Sequence, residues 1–331
     1  MNPLVHGIRF LKVNSLPTAL IDAHTSLSEI RPLFAAMVEQ VEIENHDYCN
    51  RLCPFCSNVG VNRRTTVTRM HDRVFEKILN GLSEIDYRRE VVWARYSEFM
   101  AHDSIYDRID QTRQALPKAL LTAHSNGDYL NRNTLARLER TGLDRLWVNI
   151  YPNDEEPSKR LAEYLLRRTG LTPTGETING YERLSNSSVD VLYRIPHFHS
   201  GPTEFYSRGG LVATQQPYQR RSICWDTVRA VTVDFNGQVM WCCQLQSLAP
   251  EHAPYVVGDL SQPDYTLLHA YRDLAAARRR TLAGGYKEEP CKTCNYETVH
   301  RSIHRIPWVA ALLGTVPGYH RAFLRYMAGK K

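Results

Sequence analysis

What this 331-residue chain lacks narrows its class before any motif is read. No apolar run reaches the ~18 residues that a membrane span requires, so the sequence gives no reason to invoke a membrane. Residues 1–10 do not show the charged-then-apolar pattern of a secretory signal. There is no internal repeat and no low-complexity tract. Eight cysteines without a secretory signal argue for reduced thiols and metal binding, not a disulfide framework, and the expected compartment is the cytoplasm. The excess of positive charge is small, +6 with an isoelectric point near 8.8, and over this length it describes a solvated surface more than a nucleic-acid partner.

What is present suits a globular protein with ample core. Hydrophobic residues make up 43% and charged residues 23%, enough for one large domain or two of ordinary size. The chemistry concentrates in Cys49-Asn50-Arg51-Leu52-Cys53-Pro54-Phe55-Cys56. This CX3CX2C loop follows Val41-Glu42-Ile43-Glu44, whose alternation reads as a short strand. Three thiolates so spaced can converge on one centre, and thiolates select zinc, copper(I) or iron–sulfur clusters. Four cysteines normally complete a cluster, but the next one here is Cys224. A cube held by three would keep one iron open, as reactive metal sites do.

With these residues the chain resembles the radical S-adenosylmethionine (SAM) superfamily. The resemblance implies that Cys49, Cys53 and Cys56 hold a four-iron four-sulfur cluster whose open iron is chelated by SAM. One electron then cleaves SAM to methionine and a 5′-deoxyadenosyl radical. It also implies a reductant such as flavodoxin or ferredoxin, and it puts Phe55 beside the adenine.

From residue 41 to about 195, strand-like segments (41–45, 90–96, 119–124, 145–151, 189–195) alternate with helical patterns (72–82, 104–116, 134–141, 155–168). An earlier helix is expected over 27–40. Parallel strands joined by helices place reactive groups on the loops at the strands' C-terminal ends. At those ends stand Glu98, in Arg95-Tyr96-Ser97-Glu98-Phe99, and Ser125-Asn126-Gly127. The family's Gly-Gly-Glu-Pro is matched only at Glu98; by resemblance Glu98 receives the SAM ammonium while Ser125 and Asn126 lie by its ribose. Asn149 is expected to face SAM, and Arg194 its carboxylate. His197-Phe198-His199 is read as cavity lining, and no sixth barrel strand is evident after Ile195.

The second cysteine set comprises Cys224, Cys242, Cys291 and Cys294. Alternation around Asn236-Gly237 predicts a β-hairpin with a type I′ turn, which returns Cys242 toward Cys224. An amphipathic helix is expected over 265–282. This part resembles the SPASM/twitch extension, which implies one auxiliary four-iron four-sulfur cluster fully ligated by those four cysteines. The same thiolates also suit a zinc ribbon. Cys243 is left over. Its side chain is expected to diverge from that of Cys242, and the resemblance makes it a candidate hydrogen donor, as in epimerases.

The expected architecture is α/β: a partial (β/α)6 TIM-like barrel over 41–220 after an extension of 1–40. A small α+β cluster domain over 221–300 and a helical tail over 301–331 complete it. The expected activity is reductive SAM cleavage and hydrogen abstraction from a peptide or saccharide natural product, ending in oxidation, crosslinking or epimerisation. Too little sequence precedes the cysteine loop for a peptide-recognition domain, so such a partner is expected to be a separate protein. The alternatives are a non-catalytic zinc or iron–sulfur binding module and an RNA-modifying radical enzyme, which would require salt-sensitive RNA binding.

Overall fold

The computed structural model describes residues 18–151, 158–196, 205–214, 218–283 and 285–296. Within them a ten-stranded sheet runs in the order β10-β9-β8-β1-β2-β3-β4-β7-β6-β5. Its strands are β1 (Gln40–Ile43), β2 (Glu90–Trp93), β3 (Leu120–Ser125), β4 (Arg145–Asn149), β5 (Thr172–Ile178), β6 (Tyr181–Ser185), β7 (Asp190–Arg194), β8 (Ala230–Val233), β9 (Gln238–Met240) and β10 (Val256–Asp259). The helices are α1 (Leu27–Met37), α2 (Asp72–Ser83), α3 (Ser104–Ala115), α4 (Arg132–Thr141), α5 (Ser158–Thr169), α6 (Asp226–Arg229), α7 (Leu267–Asp273) and α8 (Ala275–Leu282). This is the partial barrel with a C-terminal α+β portion that the sequence predicts. His197 to His199 and the tail from 301 lie outside the described residues.

The two faces of the strands divide as period-two alternation requires. Val41, Ile43, Val91, Trp93, Leu121, Ala123, Leu146, Val148, Val191, Val231 and Val233 belong to one buried apolar cluster with the helices. Their neighbours Glu42, Thr122, His124, Trp147, Asn149, Arg194 and Thr232 therefore take the opposite, inner face. The helices follow the same logic. In α2, Val74, Phe75, Ile78, Leu79 and Leu82 are buried on one stripe, and the His71 side chain accepts the Arg73 amide at its start.

Three expectations change. The sixth parallel strand is β8, which pairs with β1 on the side away from β2, rather than following Ile195. Its residues read as the first arm of a local hairpin, and that hairpin does form with β9, but nothing local announces the second, long-range pairing. The turn is also not type I′: of its residues only Gly237 has positive φ (+87°), and the Asp234 carbonyl accepts the Gly237 amide at 2.9 Å. A type I turn followed by a left-handed glycine closes the three-residue loop. Finally, the helix expected over 265–282 divides into α7 and α8 at Leu274. An antiparallel pair, β5–β6, extends the sheet beyond β7, a feature absent from the expected pattern.

Candidate functional site: two cysteine sets at the strand ends

The first βα loop leaves β1 and carries Cys49, Cys53 and Cys56. The Cys49 amide donates to the Arg63 carbonyl at 3.1 Å, and the Cys56 amide donates to the Cys53 carbonyl at 3.0 Å, so the loop folds back around the thiols. Arg51 clamps it to the third strand's loop: Nε and Nη2 each lie 2.6 Å from an Asp128 carboxylate oxygen, and Nη1 donates to the Tyr151 carbonyl at 2.7 Å. Such bidentate pairing fixes orientation as well as distance. Asn50 joins the clamp through Asp128 and Asn126.

Below the loop lies a buried ionic layer. Arg63 donates to Glu44 at 2.7 Å and to Gln246 at 2.8 and 3.1 Å, while Gln246 Nε2 reaches the Ser57 carbonyl at 3.0 Å. Arg95 Nε lies 2.9 Å from Asp234 Oδ1, and Arg95 also donates to the Cys243 and Leu245 carbonyls. These bonds tie the loops after β1 and β2 to the segment after β9, and so set one cysteine set against the other.

Glu98 ends β2's loop with 2% of its surface exposed. It accepts the Ser125 hydroxyl and the Asn126 amide, each at 2.7 Å, and the Met100 amide at 3.4 Å. Burial pushes its carboxyl up to about 7 against those hydrogen bonds. The three predicted residues Glu98, Ser125 and Asn126 thus form one cradle, and Glu98 is near enough to bear on the Cys49 thiol. Asn149 and Arg194 are brought to each other instead. They face across the β4–β7 register, and Asn149 Oδ1 accepts Arg194 Nε at 2.7 Å and the Tyr181 hydroxyl at 2.8 Å. Phe55 packs against Tyr151 and Phe205, with ring centroids at 4.8 and 5.9 Å.

Cys224, Cys242, Cys291 and Cys294 also come together. Burial drives the Cys242 thiol well above its ordinary value, and Cys243, then Cys291, Cys294 and Cys224, add to it. Burial likewise raises Cys49, Cys53 and Cys224 to about 12 and Cys291 to about 11. Thiols held this way ionise only against strong positive charge, which a metal centre provides. Among the described residues no three His, Cys, Asp or Glu side chains converge as ligands of a single ion do. Both donor sets consist of free thiols, the ligand chemistry of zinc or iron–sulfur centres. Cys243 Sγ lies 3.8 Å from Asp226 Oδ2 and 3.5 Å from Gln244 Nε2. Cys242 and Cys243 lie in the bend and turn after β9, so strand alternation does not govern their side chains.

No protein-family model matches the chain. A curated relative, the S-adenosyl-L-methionine-dependent 2-deoxy-scyllo-inosamine dehydrogenase of Niallia circulans, is 20% identical over 266 residues, 80% of this chain and 95% of its own length. The solved structure of BtrN in complex with AdoMet and 2-DOIA has a TM-score of 0.58 at 19% identity, covering 80% of this chain and 95% of that one. BtrN in an open conformation gives 0.52 at 17%, covering 78% and 93%. The chain shares the fold of these two BtrN structures.

In this fold two arginines that sequence reasoning passed over hold central places. Arg208, with positive φ (48°) at the start of a short 3-10 helix, lies near Tyr96, Cys56, Cys243 and Tyr151. Its Nη1 donates to Gln244 at 3.3 Å, whereas its buried Nε has no partner among the described residues. Arg220 sits against Cys294. Neither has a motif around it.

Proposed function

We propose that this protein cleaves SAM reductively and uses the resulting radical to dehydrogenate a hydroxyl-bearing saccharide of aminocyclitol type. The observation that carries the reading is the Glu98–Ser125–Asn126 cradle at the strand ends beside Cys49, a buried anion prepared for an ammonium group. The choice of saccharide over peptide rests on the Niallia circulans relative, whose name specifies an inosamine and almost all of whose length is matched.

In this reading Cys49, Cys53 and Cys56 hold the SAM-binding four-iron four-sulfur cluster, and Cys224, Cys242, Cys291 and Cys294 hold an auxiliary one. Bound there, the two groups supply a one-electron donor for SAM cleavage and a one-electron acceptor, with flavodoxin or ferredoxin as the external reductant. The chain's own residues do the positioning. Glu98 takes the SAM ammonium as a charge-assisted hydrogen bond. Phe55, Tyr151 and Phe205 form an aromatic wall that shuts out water. Arg208 keeps a buried Nε–H without a hydrogen-bond partner among the described residues. Dehydrogenation needs no hydrogen returned to carbon, which leaves Cys243 outside the reaction.

Anaerobically reconstituted protein, reduced with dithionite and given SAM and 2-deoxy-scyllo-inosamine, is expected to release 5′-deoxyadenosine together with a ketone two hydrogens lighter than the substrate. Absence of 5′-deoxyadenosine would end the radical reading. Its release without sugar oxidation would move the substrate to another class, and solvent deuterium in the product would return Cys243 to the reaction as a donor.

A further inference from the structure

Arg220 is 1% exposed and lies against the second cysteine set. Its Nη1 is 3.6 Å from Cys294 Sγ and 3.2 Å from the Cys294 carbonyl, and also donates to the Tyr296 carbonyl. Nη2 donates to the Ile223 carbonyl at 3.0 Å and Nε to that of Ser222 at 3.1 Å. The backbone is held as firmly: the Arg220 amide donates to the Lys292 carbonyl at 2.8 Å, and the Lys287 amide donates to the Arg220 carbonyl at 3.0 Å. The segment bearing Cys224 is thereby bonded to the one bearing Cys291 and Cys294.

All these acceptors are neutral carbonyls and one sulfur. Among the described residues no carboxylate forms an ion pair with Arg220, whereas Arg63 and Arg95 each have one; Arg278, equally buried, also bonds only carbonyls, but Arg220 has a cysteine sulfur in reach as well. A buried guanidinium without a counter-charge is costly. Here the counter-charge available is that of the thiolates of Cys224, Cys291 and Cys294.

Resting on the cluster reading above, we propose that Arg220 raises the reduction potential of the auxiliary cluster and so sets it as an electron acceptor. A cube with four thiolates is anionic, and more so once reduced. A fixed positive charge and an N–H···S contact favour the more negative state, and hydrogen bonds to the sulfurs are among the factors that set such potentials.

The test is a redox titration of the full chain carrying Cys49→Ala, Cys53→Ala and Cys56→Ala, so that only the second set holds iron, followed by absorbance and electron paramagnetic resonance. Arg220→Gln is expected to shift the one-electron equilibrium toward the oxidised state by about tenfold or more, a fall of ~59 mV. Arg220→Lys, which keeps charge but loses the contact to sulfur, is expected to fall in the same direction by less. It carries the test alone if the glutamine variant does not take up iron. An unchanged potential in either variant at full iron content would overturn the proposal, as would a lysine variant that shifts as far as the glutamine one. Zinc in place of iron in the triple-alanine chain would overturn the cluster reading itself and this inference with it.

Discussion

Glu98 accepts three hydrogen bonds, yet burial outweighs them and leaves its carboxyl near 7 while no cation faces it. An ammonium bound there would favour the ionised form, so SAM affinity should rise with pH through that region. Glu98→Gln keeps the shape and loses the charge. The expected loss is about 1.5–3 kcal/mol, or roughly ten- to hundredfold weaker SAM binding, measured by anaerobic calorimetry; equal affinity would remove Glu98 from the SAM site. Glu42 shows the same effect in a different setting. It is 9% exposed, lies 3.6 Å from Arg95, and has one carboxylate oxygen with no hydrogen bond. Burial is the largest cause that brings its carboxyl to about 7 from an ordinary value of 4.5, with Arg95 opposing. Its folded pKa lies above its unfolded one, so its contribution to stability is complete below about 4.5 and is lost as pH rises toward 7. Apo-protein melting temperature should fall over that window, and Glu42→Gln should flatten the profile by an amount on the order of 3 kcal/mol at most. A wild-type profile matching that of the variant would refute the assignment.

At the scale of elements, the β8–β9 turn decides where the second cysteine set begins. Gly237 adopts φ +87°, and a Cβ there would stand 3.3 Å from both Asp259 Oδ1 and Val74 Cγ1. Gly237→Ala should cost about 1–2 kcal/mol from the left-handed backbone alone. It should also lower iron retention at Cys224, Cys242, Cys291 and Cys294 more than at the first set, as read by iron analysis in the two single-set backgrounds. The Asn236-Gly237 signal was legible because a turn is specified by adjacent residues. Its exact type was not, because Asn236 could have taken either sign of φ and the closing Asp234–Gln238 pair selected one. The stripes of α2 and the strands over 90–93, 120–125, 145–149 and 190–194 were legible for the same local reason: burial on one face writes its period into the sequence.

At the scale of the whole molecule, the buried ionic layer connects the barrel to the segment after β9. Glu44 joins Arg63 to the Tyr96 amide, and Arg63 in turn holds Gln246. Removing one partner leaves the other charge buried and uncompensated, so Glu44→Ala should cost about 3–5 kcal/mol in chemical unfolding; a loss under about 1 kcal/mol would show that water or another group replaces it. This layer could not be read in advance, because its members are far apart in the chain and each is an ordinary charged residue taken alone. The cysteine spacings, the strand–helix alternation and Glu98 at a strand end were open to reading without coordinates, since each is a pattern among near neighbours. The place of β8 beside β1, the pairing of Arg194 with Asn149, and the positions of Arg208 and Arg220 needed the folded chain. Those contacts join residues distant in sequence, and only packing decides which buried charge faces which.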